Sequence, residues 1–415
     1  MTTLRQFTTY SQPGKRQRVW VKNGEEVKAY ILVVLLLLQS KISAGFFTTN
    51  STILENAVSV GAVCLDGSPP AYLFGEGFGE GKQRWIVYLM GGEWCSNIFE
   101  CKNRKTSHLG SSLPKYWNDS KFNFQGILDF DQTQNPDFYS WNKVAVRYCD
   151  GSSFTGDIES VDPTTGLHFR GRRIFDAVVE DLLVNRGMKD ATHAFLTGGS
   201  AGGLSVMIHC DRFSTRFPNT ATTVKCLSDA GFFLHSKHPA QARDLESKFR
   251  GIVDLHNSTG VLSETCKSRM KDLPYLCFFP QFFAKDIHTP LFIMITTYDS
   301  YQMNHTLSTD FYYAVKFNHI SATQYTTLKE FRLQMLDELR ETDTPSRGLF
   351  VSNCFTHTRL THYWNQRHGF DVNNRTDVEA VGAWFFDRTC RVQEVDQNTL
   401  VKDCINNTYI KEGGA

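Results

Sequence analysis

Ser200 stands in the stretch Thr197-Gly198-Gly199-Ser200-Ala201-Gly202-Gly203, between a small apolar run and a helix-like run. Gly-x-Ser-x-Gly at a strand-to-helix turn presents a serine hydroxyl on a strained bend, where side chains at the glycine positions would collide. A plain glycine-rich turn carries the same letters, so the rest of the chain must decide. A serine hydroxyl is a poor nucleophile until a base takes its proton, and the base needs a carboxylate to fix its tautomer and stabilise the imidazolium. In this arrangement the acid and then the histidine follow the serine, each on a loop just beyond a strand. Asp299 directly follows the strongest apolar run, Pro290 to Tyr298, and is the best-placed acid. His357 comes six residues after Gly348-Leu349-Phe350-Val351 and is the best-placed base, with His362 as its competitor. His168, His193, His209, His235 and His238 read as packed or surface histidines, and Asp211, Asp229, Asp286 and Asp337 as solvated or capping carboxylates.

Acyl chemistry also needs backbone N–H groups aimed at the oxygen that becomes negative. Ala201, the residue after the serine, supplies one by its position. The others come from a glycine-rich loop after an early strand, and Leu89-Met90-Gly91-Gly92-Glu93-Trp94-Cys95 is such a segment. These residue types need no metal and no organic cofactor.

The elements that must position these groups are legible as apolar runs: Trp85 to Met90, Val144 to Tyr148, Ala194 to Thr197, Leu291 to Ile295 and Gly348 to Val351. They alternate with amphipathic helical patterns, among them Ile174, Ala177, Val178 and Leu182, which predicts an α/β fold with helices on both faces of a buried parallel sheet. Ser200 then lies at the carboxyl end of a strand, where such sheets place their ligands. The fold expected is α/β-hydrolase-like: a mostly parallel central sheet flanked by helices and stabilised by disulfides.

The 415 residues are 41% hydrophobic and 21% charged with a formal net charge of +1, enough for a full core. No basic block stands outside the N-terminus, which speaks against nucleic acid as a partner. At that terminus Arg5, Lys15, Arg16, Arg18, Lys22 and Lys28 precede an apolar run from Ala29 to Leu38, followed by Ile42-Ser43-Ala44 before Gly45. Residues 1–45 therefore read as a signal peptide or short anchor-like leader, and 46–415 as a single domain. The run is shorter than the about 20 residues of a bilayer span, so no stable span is expected in the mature form. Export agrees with six candidate glycosylation sites, Asn50, Asn118, Asn257, Asn304, Asn374 and Asn406, all after the apolar run. It agrees as well with eleven cysteines that lack metal-ligand spacing and read as disulfides with one left over.

Ala62 to Tyr72, Gly91 to Cys95, Arg147 to Asp157, Gly198 to Gly203, Lys225 to Gly231, Cys277 to Gln281, Tyr298 to Ser300 and Asn353 to His357 occur in an order that resembles the pectin acetylesterases of plants, a family that includes the animal Notum carboxylesterases. The resemblance covers about residues 60 to 404. It implies Ser200 as nucleophile, Asp299 as orienting acid and His357 as base, with the Gly92, Glu93 and Ala201 N–H groups as oxyanion hole. It further implies disulfides Cys64–Cys149, Cys95–Cys101, Cys210–Cys226 and Cys266–Cys277; Cys354–Cys404 is the fifth expected pair, leaving Cys390. Two of these bridges brace the loops that carry the hole and the Asp-Gly-Ser-Ser segment. The implied protein is a secreted, monomeric enzyme of the cell wall that removes acetyl groups from pectin. The alternatives are a Notum-like esterase that delipidates a secreted protein, and an inactive binding homologue.

Four positions depart from the plant pattern. Met90 stands where a carboxylate is usual, Glu93 where glycine is, Gly199 where cysteine is common before the nucleophile, and Thr358 where cysteine follows the histidine. Of these Glu93 bears most on chemistry, because a carboxylate aimed into the hole repels the charge the hole must stabilise. Arg147, Arg170, Arg172 and Arg173 are available as cations for an acidic polymer, but solvated salt-bridge roles are the expectation for each.

Overall fold

The structure, a computed structural model, describes residues 51–117, 122–237 and 239–410. The leader, Asn50, Asn118 and His238 lie outside the described residues.

The apolar runs form the middle of a nine-stranded sheet. Its strands are β1 (Thr52–Ile53), β2 (Ala71–Gly75), β3 (Arg84–Leu89), β4 (Asn142–Val146), β5 (His193–Gly199), β6 (Thr223–Asp229), β7 (Leu291–Thr296), β8 (Gly348–Ser352) and β9 (Gln393–Val395). Their order is β1-β2-β4-β3-β5-β6-β7-β8-β9. β1 and β2 run antiparallel at one edge, and from β4 to β9 every pair is parallel. The carboxyl ends of β3, β5, β6, β7 and β8 therefore open on one side of the sheet, and the chemically interesting loops meet there.

Alternate residues of each strand feed two cores. Val87, Leu89, Val144, Leu196, Ile293 and Val351 face one, and Ile86, Tyr88, Phe195, Leu227, Phe292 and Phe350 face the other. The helices that matter are α1 (Ile98–Arg104), α2 (Gly171–Asn185), α3 (Ala201–Ser214), α4 (Pro239–His256), α5 (Ala322–Glu341) and α6 (Asp377–Phe385). Ile174, Val178 and Leu182 of α2, Leu204 and Phe213 of α3, and Leu328, Phe331 and Met335 of α5 fill the first core. Val378, Val381, Trp384 and Phe385 of α6 fill the second. Complete burial of each such side chain contributes roughly 2 kcal/mol. Capping boxes, Ser321 with Gln324 and Thr376 with Glu379, start α5 and α6.

All five expected disulfides are present: Cys64–Cys149, Cys95–Cys101, Cys210–Cys226, Cys266–Cys277 and Cys354–Cys404. Cys390 is free and exposed. Among the described residues no helix is long and apolar enough to cross a membrane.

Candidate active site

β5 ends at Gly199 and α3 starts at Ala201, so Ser200 is the whole turn between them, at φ 57° and ψ −124°. Its own N–H donates to the Asp229 carbonyl at 2.9 Å. A bend this tight needs glycine around it. A β-carbon on Gly202 would stand 2.0 Å from the Leu89 carbonyl oxygen, and one on Gly91 would stand 2.4 Å from the Gly199 carbonyl and 3.0 Å from Ser200 Cβ. The Gly91-Gly92 loop thus lies directly against the serine turn, backbone on backbone.

Asp299 leaves β7 and caps the short helical turn Ser300–Gln302. One carboxylate oxygen accepts the Gln302 N–H at 2.9 Å. The other faces His357 Nδ1 at 2.8 Å, and His357 Nε2 lies 2.7 Å from Ser200 Oγ. An Nδ1–H donated to Asp299 fixes the tautomer and leaves Nε2 as the acceptor of the serine proton. The Ser300 N–H donates to the Thr356 carbonyl at 3.0 Å, which ties the aspartate loop to the histidine loop. Asp299 is completely buried and His357 only partly exposed. Burial alone pulls the imidazole pKa down. The charge and hydrogen bond of Asp299, followed by the charges of Asp229 and Glu93, outweigh that and leave it above the ordinary histidine value.

His362 is exposed and meets Gln125 Nε2 through Nδ1 at 3.0 Å, so it is not joined to Ser200. His209 is packed as expected, and His256 is packed as well. Each hydrogen-bonds a backbone carbonyl at 2.9 Å, and burial pushes each down to about 4. Cys95, Cys101 and His256 converge as metal ligands do, but both thiols are already bonded to each other.

The Gly92 and Glu93 carbonyls are drawn away from the serine. Arg104 Nη2 donates to Gly92 O at 2.6 Å, and the Tyr148 hydroxyl donates to Glu93 O at 2.7 Å. The Gly92, Glu93 and Ala201 N–H groups have no protein acceptor among the described residues. Trp94 Nε1 donates to Ser153 Oγ, which donates to the Ala201 carbonyl, both at 2.7 Å. This joins the glycine loop, the Asp-Gly-Ser-Ser segment and the start of α3 in one network. Glu93 itself adopts φ 59°, the left-handed region that suits glycine. Its half-exposed carboxylate reaches Lys248 Nζ of α4 at 3.7 Å.

Next to His357 the space is filled by rings. Tyr301 lies 5.2 Å and Phe233 6.4 Å from the imidazole, centroid to centroid. Trp94 packs on Phe233 at 4.9 Å and on Phe249 at 5.2 Å, and Phe249 backs on Phe279 at 4.5 Å. Trp94, Phe233, Phe249 and Phe279 are all buried. A separate cavity of about 410 Å³ opens beside Gly91, with Trp117, Tyr148 and His362 in its wall.

Two expectations are corrected. Asp229 is not solvated: it is 1% exposed and accepts the Arg359 and Leu360 N–H groups at 2.7 and 2.9 Å. Arg147 is not solvated either: it is buried with its guanidinium 4.1 Å over the Trp117 ring, while the part-exposed Arg172 and Arg173 pair with Asp157 as expected. Arg104 and Tyr301 escaped sequence reading, since nothing in their spacing marks them; Tyr148, Ser153 and Asp229 stood within the segments Arg147 to Asp157 and Lys225 to Gly231, but nothing there marked their roles as supports. Of the candidate glycosylation sites, Asn257, Asn374 and Asn406 are exposed, and Asn304 is half-buried beside His305.

A parallel sheet with a serine on a strained turn, reached by a histidine and a buried aspartate, defines an α/β-hydrolase-like carboxylic ester hydrolase. The chain belongs to the pectinacetylesterase family, whose family model matches residues 43–406. It is similar to pectin acetylesterase 7 of Arabidopsis thaliana, 43% identical over 372 residues that span 87% of this chain and 93% of the relative. It is more distantly similar to palmitoleoyl-protein carboxylesterase notum2 of Xenopus laevis, 28% identical over 332 residues, 77% of this chain and 64% of that one. Among solved structures, the Wnt deacylase Notum from Drosophila shares the fold with a TM-score of 0.71 at 23% identity, over 85% of this chain and 97% of that one.

Proposed function

We propose that this chain is an exported enzyme that removes acetyl groups from cell-wall pectin by two-step acyl transfer. The observation that carries the reading is the unbroken hydrogen-bonded line from Ser200 Oγ through His357 to buried Asp299, beside three unengaged backbone N–H groups. Ser200 attacks the ester carbonyl as His357 Nε2 takes its proton. Asp299 holds the imidazole and stabilises the imidazolium. The Gly92, Glu93 and Ala201 N–H groups receive the oxyanion. Collapse of the tetrahedral intermediate breaks the bond to the sugar oxygen, which leaves with the proton from His357. Water, deprotonated by the same imidazole, then releases acetate from Ser200.

The buried rings of Trp94, Phe233 and Phe249 and the partly buried ring of Tyr301 pack on one another beside His357, which supports a small acyl group, because a long chain needs a deep apolar channel. Residues 1–45 serve as the export leader in this reading. Five disulfides suit an oxidising compartment, and the exposed Asn257, Asn374 and Asn406 are positioned for glycans.

The test is acetate release from acetylated pectin, with acetate and octanoate aryl esters run in parallel. Wild type is expected to deacetylate pectin and to prefer acetate, and Ser200→Ala to lose at least about 10⁴-fold in kcat. Equal activity in both proteins refutes the nucleophile. A preference for octanoate without release from pectin moves the assignment to lipid removal.

A further inference from the structure

The cavity beside Gly91 is not used by the acyl-transfer chemistry, yet it shares a wall with it. Gly91 touches the serine turn, and Tyr148, which fixes the Glu93 carbonyl, lines the same cavity. Across from them stands Trp117. Its indole N–H donates to the Ser111 carbonyl at 2.8 Å, the Arg147 guanidinium covers it at 4.1 Å, and the His108 ring meets it edge-on at 5.4 Å. A half-buried indole held from three directions is a rigid surface for an apolar ring face. The remaining wall carries planar polar groups, with the Gln125 amide and the His362 imidazole joined at 3.0 Å. Among the described residues two imidazoles, His108 and His362, line the cavity and no carboxylate does. Arg104 lies behind the Tyr148 ring at 5.1 Å, so cations back the aromatic wall at two points.

We propose that this cavity is a sugar subsite. It holds the uronic acid residue adjoining the acetylated one, with Trp117 against the ring face and the Gln125–His362 pair on its hydroxyls and carboxylate. Aromatic surface beside a few planar donors and acceptors is how proteins bind a ligand with apolar faces and a polar rim. The inference deepens the pectin reading and rests on it. His362, the histidine that competes with His357 on sequence alone, gains a role in specificity rather than in proton transfer.

The experiment compares kcat/KM on acetylated pectin with kcat/KM on an aryl acetate, which has no second sugar, for wild type, His362→Ala and Trp117→Ala. The pectin-to-aryl ratio is expected to fall about tenfold in each variant, mainly through KM, which is the effect of about one lost stacking or hydrogen-bonding contact. Unsubstituted trigalacturonate is expected to inhibit aryl acetate hydrolysis by wild type and to inhibit His362→Ala about tenfold more weakly. An unchanged ratio in His362→Ala, whose exposed side chain is not needed for folding, overturns the subsite even if Trp117→Ala fails to fold. Equal loss on both substrates also overturns it, since the role is then structural. Failure of wild type to release acetate from pectin strikes the underlying reading instead, and trigalacturonate inhibition still reports on the cavity.

Discussion

Asp229 closes β6 opposite Gly199, and replacing it with asparagine tests how the site is held. Burial drives its carboxyl from 3.8 up to about 7, with the Leu360 and Arg359 N–H bonds and the charges of Arg359 and His357 opposing the rise. In the unfolded chain the same group releases its proton near 3.8. Between these values the folded protein binds a proton that the unfolded chain has lost. The stabilisation is therefore fully present below about pH 4 and is lost as the pH rises through about 7. Some 3 units at 1.36 kcal/mol each make about 4 kcal/mol. Asp229→Asn removes this titration and keeps an amide oxygen for the Arg359 and Leu360 N–H groups. Urea denaturation of both proteins from pH 4 to pH 8 should show the variant gaining on wild type by up to about 4 kcal/mol across the range. The Asp229 charge also raises His357, so the acid limb of kcat/KM should move to lower pH in the variant. A stability difference that stays constant with pH refutes the buried, proton-holding Asp229.

Glu93→Gln removes a second charge that holds His357 up. The acid limb should again move to lower pH, and plateau kcat should rise about threefold, the effect of lifting a roughly 0.7 kcal/mol repulsion between a half-exposed charge and the oxyanion. A fall in kcat would show that the carboxylate itself takes part in the reaction. The disulfides should rank in opposite orders for stability and activity. Removing Cys64–Cys149, with a sequence separation of 85, costs about 4.5 kcal/mol by loop entropy, and removing Cys95–Cys101, with a separation of 6, about 2 kcal/mol. Serine pairs at Cys95 and Cys101, next to the Glu93 N–H, should nevertheless lower kcat more, measured beside denaturation midpoints. Equal effects on kcat would mean that the short bridge does not position the loop.

The strands legible in the sequence are those whose two faces are both apolar, such as Leu291–Thr296 and Gly348–Ser352, where every residue is buried. β6 reads Thr-Val-Lys-Cys-Leu-Ser-Asp and was hidden by its polar letters. Lys225 lies along α6 to reach the Trp384 carbonyl and the Asp387 carboxylate, and Ser228 donates to the Gly203 carbonyl. β4 starts at Asn142 and Lys143 for the same reason: the buried Lys143 amino group donates to the Phe138 and Tyr139 carbonyls. Ser200, Asp299 and His357 were legible because chain order and strand ends constrain them. Arg104 and Tyr148 were not, since they act on backbone carbonyls, and any chain segment offers those.

Those carbonyl contacts explain how a residue as ill-suited as Glu93 is kept beside Ser200. Glu93, Ser153, Phe154, Ser200 and Ala230 all have positive φ without being glycine, and all lie at the site. Each such residue costs of order 1 to 3 kcal/mol and persists only where its surroundings over-determine it. Here each is fastened. The Glu93 carbonyl and the Ser153 N–H share the Tyr148 hydroxyl. The Phe154 N–H is held by Asp150, the Ser200 N–H by the Asp229 carbonyl and the Ala230 N–H by the Met294 carbonyl. Cys95–Cys101 and Cys64–Cys149 then anchor the loops on either side, one beginning two residues after Glu93 and the other one residue after Tyr148. With the backbone fixed from outside, the identity of residue 93 no longer sets where its N–H points. The side chain is left to act only through its charge, which is why the glutamine variant isolates it.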